Sequence, residues 1–349
     1  MDNQDEWAGQ DYRCYELGDQ SGIGAIGAVS RTARAPAADE VLVRTKVAAL
    51  NYRDLLLAAG QYGPGTPASR VPLSDGAGEV LAVGEGVTEV QAGDRVTAPH
   101  FIDWLDGDFE TGVFAADLGI STDGWLSELV WLPARSLVKL PEGMRYESAA
   151  ALGVAGITAW RVLEVLGNIK SGDTVLTLGT GGVSIMALQI AGMNGARVAI
   201  TSSSHDKLEL AKRLGADITV NYREQPEWHD AVRAANGGRG VDIVVETVGA
   251  ATLEKSLLAC APNARIGILG VLAPAPEKMP DLMPLYGNNI TIQGVTSGSR
   301  RMLDNLLRAS AANGMQPHVD KAFGFDQALE AYEYLQAAGH VGKIVITAS

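Results

Sequence analysis

The sequence of 349 residues predicts a mixed α/β chain of two domains, a doubly wound parallel sheet and an antiparallel, barrel-like β domain. Three observations carry that reading. A short apolar strand at 174–178 passes through the glycine-rich turn Gly179-Thr180-Gly181-Gly182-Val183-Ser184 into an apolar helix at 185–191. From about 149 to 294 strand patterns alternate with helical ones, which calls for parallel pairing. From about 40 to 140 short β-branched runs are broken by glycine and proline, the pattern of an antiparallel barrel.

The glycine-rich turn has the chemistry of a dinucleotide site. Glycine permits positive φ and lets backbone N–H groups approach a pyrophosphate, which then sits at the positive end of the helix dipole. Ser184 stands where the third glycine of the fingerprint belongs, so the strand–turn–helix context carries the reading rather than the spacing. Further strands are expected at 197–201, 218–220, 242–246 and 265–269, with a helix at 206–214. In the β domain the expected strands are 41–47, 78–83, 94–98 and 126–132, and residues 101–124, rich in Asp, Gly and Phe without periodicity, read as a long surface loop. Helices near 300–313 and 326–338 lead to a last strand at 343–347, which is expected to return to the β domain. The domains are therefore placed at 1–150 with 295–349, and at 151–294.

Twenty-eight basic against 41 acidic residues give a net charge of −13, which argues against a nucleic-acid partner because no basic stripe offsets it. The N-terminal segment is acidic where a secretory signal is basic, and no apolar run of about 18 residues stands out, so a soluble cytoplasmic protein without membrane partners is expected. Cys14 and Cys260 lie far apart and read as buried small hydrophobes. His100, His205, His229, His318 and His340 have no metal-ligand spacing, and no Gly-x-Ser-x-Gly elbow occurs.

The order of segments resembles the medium-chain dehydrogenase/reductase superfamily, in particular its zinc-free quinone-oxidoreductase-like branch. The residues concerned are Leu50-Asn-Tyr-Arg-Asp54, Gly60-Gln-Tyr-Gly63, Asp75-Gly-Ala-Gly-Glu79, Val83-Gly-Glu-Gly-Val87 with Gly93-Asp-Arg-Val96, the turn at 179–184, Leu214-Gly-Ala216, residues 241–249 and Gly342-Lys-Ile-Val-Ile346. The resemblance implies a GroES-like β domain beside a Rossmann domain, an active site between them, and a homodimer formed through the last Rossmann strand near 290–294. Where the zinc alcohol dehydrogenases of this superfamily carry catalytic ligands, this chain has Asn51, Ser74 and Asp75, and the second ligand cysteine is missing near Val154. Amide, hydroxyl and carboxylate suit zinc poorly, so no metal is expected.

The second strand of the nucleotide domain ends in Ser202 and Ser203 instead of an acid that would bind a ribose 2′-hydroxyl. With Lys207 and the Tyr222-Arg223 segment nearby, donors and cations are available for a 2′-phosphate, and NADP(H) is the expected cofactor. Alternatively Ser204 only caps a helix, with Lys207 on its solvated face. The resemblance further implies that Thr247 and Val248 contact the adenosine or its ribose, that Gly270, Val271 and Leu272 lie beside the nicotinamide, that Val295, Thr296 and Ser297 meet its carboxamide, and that Thr158 faces the ring. Tyr62 resembles the proton-donating tyrosine of the enoyl-thioester reductase branch, or else packs within a turn. Asn51 is a second candidate donor, and Tyr52, with Trp104 and Tyr286, a candidate lining residue, while Arg53 and Asp54 read as a local structural pair. The expected activity is NADPH-dependent, metal-free hydride transfer to an activated double bond of an enone, enal or quinone. Two alternatives stand beside it, a zinc-independent alcohol dehydrogenase or ketone reductase, and an NADPH-binding regulatory protein with vestigial activity.

Overall fold

Strand β3 (Glu40–Leu50) organises the first half of the chain because both of its edges are used. In the computed structural model, which describes residues 7–63, 65–270 and 279–348, β3 pairs along one edge with β4 (Asp75–Val83). Its other edge is shared: residues 40–44 pair with β6 (Leu129–Pro133) and residues 47–50 with β15 (Lys343–Thr347). Two register shifts against β4 bend β3 between these partners. The last strand thus returns to the β unit as expected. With β5 (Arg95–Thr97), β7 (Val138–Lys139) and β14 (Val319–Gly324) the sheet order is β14-β15-β3-β4-β5-β7.

The chain divides into two compact units, Met1–Ile157 with Gly298–Ser349, and Thr158–Ser297. Both breaks fall a few residues beyond the expected ones. The first lies inside a helical run, Tyr146–Leu166, of 21 residues. That run also corrects the expectation that no apolar segment reaches membrane-span length; 72% of its most apolar window is buried within the protein, as in a core helix.

In the second unit β8 (Thr174–Leu178), β9 (Arg197–Ser202), β10 (Ile218–Asn221), β11 (Val241–Glu246), β12 (Cys260–Ile268) and β13 (Thr291–Gly294) form a parallel sheet in the order β10-β9-β8-β11-β12-β13. Every residue of β8 and β11 is buried, which explains their near-continuous apolar sequence. Parallel pairing puts all six C-terminal ends on one edge of the sheet, and the order reverses at β8.

Two features of the first unit differ from expectation. A hairpin of β1 (Asp11–Glu16) and β2 (Gly27–Thr32) precedes the expected first strand. Its second strand is largely exposed, so it has no apolar alternation to betray it. Residues 101–124 are not a surface loop throughout. Phe101, Trp104 and Val113 are buried in a satellite cluster with Phe109 and Met302, and Phe101 meets Phe114 edge to face at 5.3 Å. The helix Arg300–Ala312 holds this segment through N–H donation from Arg300 and Arg301 to the carbonyls of Trp104 and Leu105. Cys14 and Cys260 are both buried free thiols, pushed up to about 11 and about 12 by burial.

Between β3 and β15 the unit buries charge. The helix Tyr52–Ala58 begins with a capping box in which the Asn51 N–H donates to Asp54 Oδ2 at 2.7 Å. Asp54 is fully buried, and its carboxyl is pushed up to about 7, chiefly by burial and further by Asp75, against the pull of Arg53 and Lys343. Because this value lies above that of the unfolded chain, the contribution of Asp54 to stability is complete below about pH 4 and is lost as pH rises through about 7. Asp54→Asn keeps an oxygen for the cap and removes the titration. Its melting temperature is expected to exceed that of wild type at pH 8.5, by an amount on the order of a few kcal/mol of stability, and to converge with it toward pH 5. Thermal melts of both proteins across that range check this; a constant offset at all pH values would refute it.

Candidate active site

The C-terminal edge of the parallel sheet gathers most of the residues assigned to a cofactor. Gly179 follows β8 with φ 73°, and a Cβ at Gly179 or Gly181 would meet no atom within 4 Å. The turn is therefore open where a phosphate must approach, at the start of the helix Gly182–Met193, whose N-cap has no side-chain cap. Ser184 explains its place in the fingerprint. Its hydroxyl donates to the Leu178 carbonyl at 2.6 Å, and the Thr247 hydroxyl donates to the same oxygen at 2.6 Å. That carbonyl joins the turn after β8 to the turn after β11.

The turn after β11 is shaped by a residue that the sequence reading passed over. Glu246 is fully buried, and its Oε1 accepts from the N–H groups of Val248 and Gly249, each at 3.0 Å, and from the Thr252 hydroxyl at 2.8 Å. Its Oε2 accepts from Ser256 at 2.5 Å. A buried carboxylate is stable only when so supplied with donors, and here they fix the path of residues 247–249. Gly270 lies against this turn, since a Cβ there would come within 2.2 Å of the Thr247 backbone. Val271 and Leu272 lie outside the described residues. Val295, Thr158 and Ser297 are buried, Ser297 has φ 52°, and the Arg161 guanidinium donates to the carbonyls of Ser297 and Thr296 at 3.2 and 3.4 Å.

At the end of β9 the structure redistributes the expected roles. Ser202 is buried and its hydroxyl accepts from the Ser204 N–H, so it shapes the turn, and Ser203 is the more accessible donor. Ser204 stands at the N-cap of the helix His205–Arg213 but makes no capping bond, and Asp206 lies in the first turn. Lys207 is half-buried. Tyr222, half exposed, follows β10 beside Ser202, whose carbonyl accepts its N–H at 3.1 Å. Glu224 is paired with His205 at 2.5 Å and with the Asn221 amide at 3.3 Å.

In the other unit both ends of the Asn51 amide, a candidate donor, are engaged by neighbouring side chains. Its Nδ2 donates to Asp75 Oδ2 at 2.9 Å and its Oδ1 accepts from Lys343 Nζ at 2.7 Å. Lys343, itself buried, also donates to the Leu50 carbonyl at 2.6 Å and to Asp75 at 3.2 Å. The remaining Asp75 oxygen accepts from the Val154 N–H at 2.8 Å, and Gly153 must lack a side chain because a Cβ would lie 2.2 Å from it. These residues do not fit a catalytic zinc. Both oxygens of the one carboxylate are engaged, an ammonium already balances its charge, and no group of three His, Cys, Asp or Glu able to hold a metal occurs among the described residues.

Tyr62 lines a cavity of about 740 Å³ together with Gln61, Arg70, Phe114, Asp117 and Ile120. The Arg53 guanidinium lies over its ring, 5.2 Å from the centroid. Arg53 is not the local partner of Asp54 that the sequence suggested; it donates to Asp117 Oδ2 at 2.7 Å, with His100 Nδ1 also 2.7 Å away. His100 Nδ1 is 2.8 Å from the other Asp117 oxygen. Burial lowers the His100 pKa below its ordinary value; burial works against the Asp117 charge too, but His100 and Arg53 still hold that carboxyl low. Tyr52 is half exposed, Trp104 is buried in the aromatic cluster, and Tyr286 is exposed on the helix Met283–Gly287 of the second unit.

Comparison with known proteins matches residues 37–142 to the alcohol dehydrogenase GroES-like domain and residues 182–312 to the zinc-binding dehydrogenase family. A zinc-type alcohol dehydrogenase-like protein of Schizosaccharomyces pombe is 40% identical over 316 residues, covering 88% of this chain and 90% of its own. Acryloyl-coenzyme A reductase of Metallosphaera sedula is 31% identical over 89% of this chain and 93% of its own. The crystal structure of an NAD-dependent alcohol dehydrogenase superposes with a TM-score of 0.87 at 33% identity, covering 97% of this chain and all of the other. A GroES-like sheet and a Rossmann sheet in one chain, with these relatives along its length, make the protein a nicotinamide-dependent oxidoreductase of the medium-chain dehydrogenase/reductase superfamily.

Proposed function

We propose that the protein is an NADPH-dependent, metal-free reductase of an activated double bond in an enone, enal or quinone. The observation that carries this reading is the Tyr62 cavity, where the phenol ring lies against a held guanidinium and no metal ligand set occurs among the described residues. A reduced nicotinamide held on the Rossmann sheet supplies hydride. When hydride adds to the β-carbon of a conjugated carbonyl, the π-electrons move to oxygen, and the resulting enolate needs a donor and then a proton. The Tyr62 hydroxyl serves both needs, and the product is the saturated carbonyl compound. The similarity to a reductase of acryloyl-coenzyme A, itself a conjugated thioester, supports reduction at carbon over reduction at the carbonyl.

Preference for NADPH over NADH rests on the absence of an acid at Ser202 and Ser203, with Lys207 and Tyr222 beside them. Ser203→Asp sets a carboxylate against the 2′-phosphate and removes a donor. Losing one charge-assisted hydrogen bond lowers NADPH affinity at least about tenfold, while NADH affinity holds or rises. Fluorescence titration of both cofactors checks this; a wild-type protein that binds NADH more tightly than NADPH would refute it.

The purified protein is expected to hold no stoichiometric zinc and to keep its turnover of an enone after dialysis against a chelator. One zinc per chain by elemental analysis, with turnover lost on its removal, would contradict the metal-free reading. Tyr62→Phe deletes a donor that matters only as charge builds, so kcat is expected to fall about 10²-fold with NADPH affinity unchanged. If Tyr62 only packs, turnover stays within a few-fold of wild type and stability shifts by about 1 kcal/mol.

A further inference from the structure

Arg53 is joined to three other groups at the Tyr62 cavity, and these come from separate stretches of the chain. It stands on the helix Tyr52–Ala58, Asp117 and His100 on the segment that leads into and out of the aromatic cluster, and Tyr62 just beyond the helix. The Arg53 side chain is 11% exposed, and those of Asp117 and His100 are 3% exposed. The fork of the guanidinium is fixed at both ends, one nitrogen on Asp117 Oδ2 and the other against His100 Nδ1.

A neutral imidazole has one N–H to place. On Nδ1 it donates to Asp117 Oδ1; on Nε2 it leaves Nδ1 free to accept from Arg53, and Nε2 itself is buried without a hydrogen-bond partner among the described residues. In either tautomer the Asp117 carboxylate accepts from the guanidinium, and with the proton on Nε2 the imidazole accepts from it as well. Beyond these two, the guanidinium lies over the face of Tyr62.

We propose that Arg53 is a positioning residue for Tyr62, anchored by Asp117 and His100, which fixes the ring over the cavity and keeps a positive charge beside it while the hydroxyl gives up its proton. The proposal rests on the reading of Tyr62 as proton donor. A ring held by a cation on its face has one orientation, so its hydroxyl meets the acceptor without a search. The guanidinium carbon lies 5.2 Å from the ring centroid, within the range of a cation–π contact. Arg70, which lines the cavity itself, is committed elsewhere, to the carbonyls of Ile120 and Ser121 and to Asp123.

The test is a double-mutant cycle on kcat for NADPH oxidation by benzylideneacetone, using wild type, Arg53→Met, Tyr62→Phe and the double variant. Arg53→Met is expected to lower kcat about tenfold in the wild-type background and less than about twofold in the Tyr62→Phe background, with KM for NADPH unchanged in both. Arg53→Lys, which keeps the charge and loses the fork, is expected to recover part of the loss. If Arg53→Met fails to fold, Arg53→Lys carries the same cycle with a smaller coupling. Equal losses in the two backgrounds, or wild-type kcat for Arg53→Met, would overturn the positioning role and leave Tyr62 as donor intact. Wild-type turnover by Tyr62→Phe would overturn the donor reading and this inference together.

Discussion

The ammonium of Lys343 is the contact on which the first unit depends. It comes from the last strand of the chain and bonds to Leu50, Asn51 and Asp75, at the end of β3, the start of a helix and the start of β4. Burying a lysine is costly unless its charge and donors are all met, and removing one partner of such a pair costs about 3–5 kcal/mol. The three acceptors meet that requirement. They also set the position of everything that follows: the capping box of the helix Tyr52–Ala58, Arg53 in its first turn, and through Arg53 the ring of Tyr62.

The same contact decides the chemistry available. A carboxylate that already holds an ammonium, an amide and a backbone N–H is a poor ligand for a metal ion, and in the proposed reaction the polarising role falls to Tyr62. Around the Tyr62 cavity the charged groups are likewise committed to one another, Arg53 to Asp117 and Arg70 to Asp123. Such a cavity offers aromatic and apolar walls from Tyr62, Phe114 and Ile120 and little free charge to an ionic substrate. A neutral, flat acceptor fits these walls, as the proposed enone or quinone is.

The fold was largely legible because its periodicities are local. The strand–turn–helix at 174–193 and the alternation after it follow from runs buried on both faces, and the return of residues 343–347 to β3 follows from a short strand with a buried apolar centre, Ile344-Val-Ile346. The glycine-rich turn could be read because positive φ at Gly179 is a requirement visible in the residue itself. What could not be read were contacts between residues distant in sequence. Arg53 looked like the partner of its neighbour Asp54, yet its carboxylate is Asp117, and no spacing rule joins them. Glu246 resembled a polar residue at a strand end, and its role emerges only from four donors that converge on it. Residues 101–124 lacked periodicity because their order comes from aromatic packing, which has none.

The central claim is that hydride goes to carbon conjugated with a carbonyl, with Tyr62 in place of a metal at the oxygen. It is tested most directly by where the hydride lands. Turnover of an enal with NADPH deuterated at C4 of the nicotinamide, followed by NMR of the product, locates the label. The account predicts deuterium at the β-carbon of a saturated aldehyde. Deuterium at C1 of an unsaturated alcohol would contradict it and make the protein a carbonyl reductase.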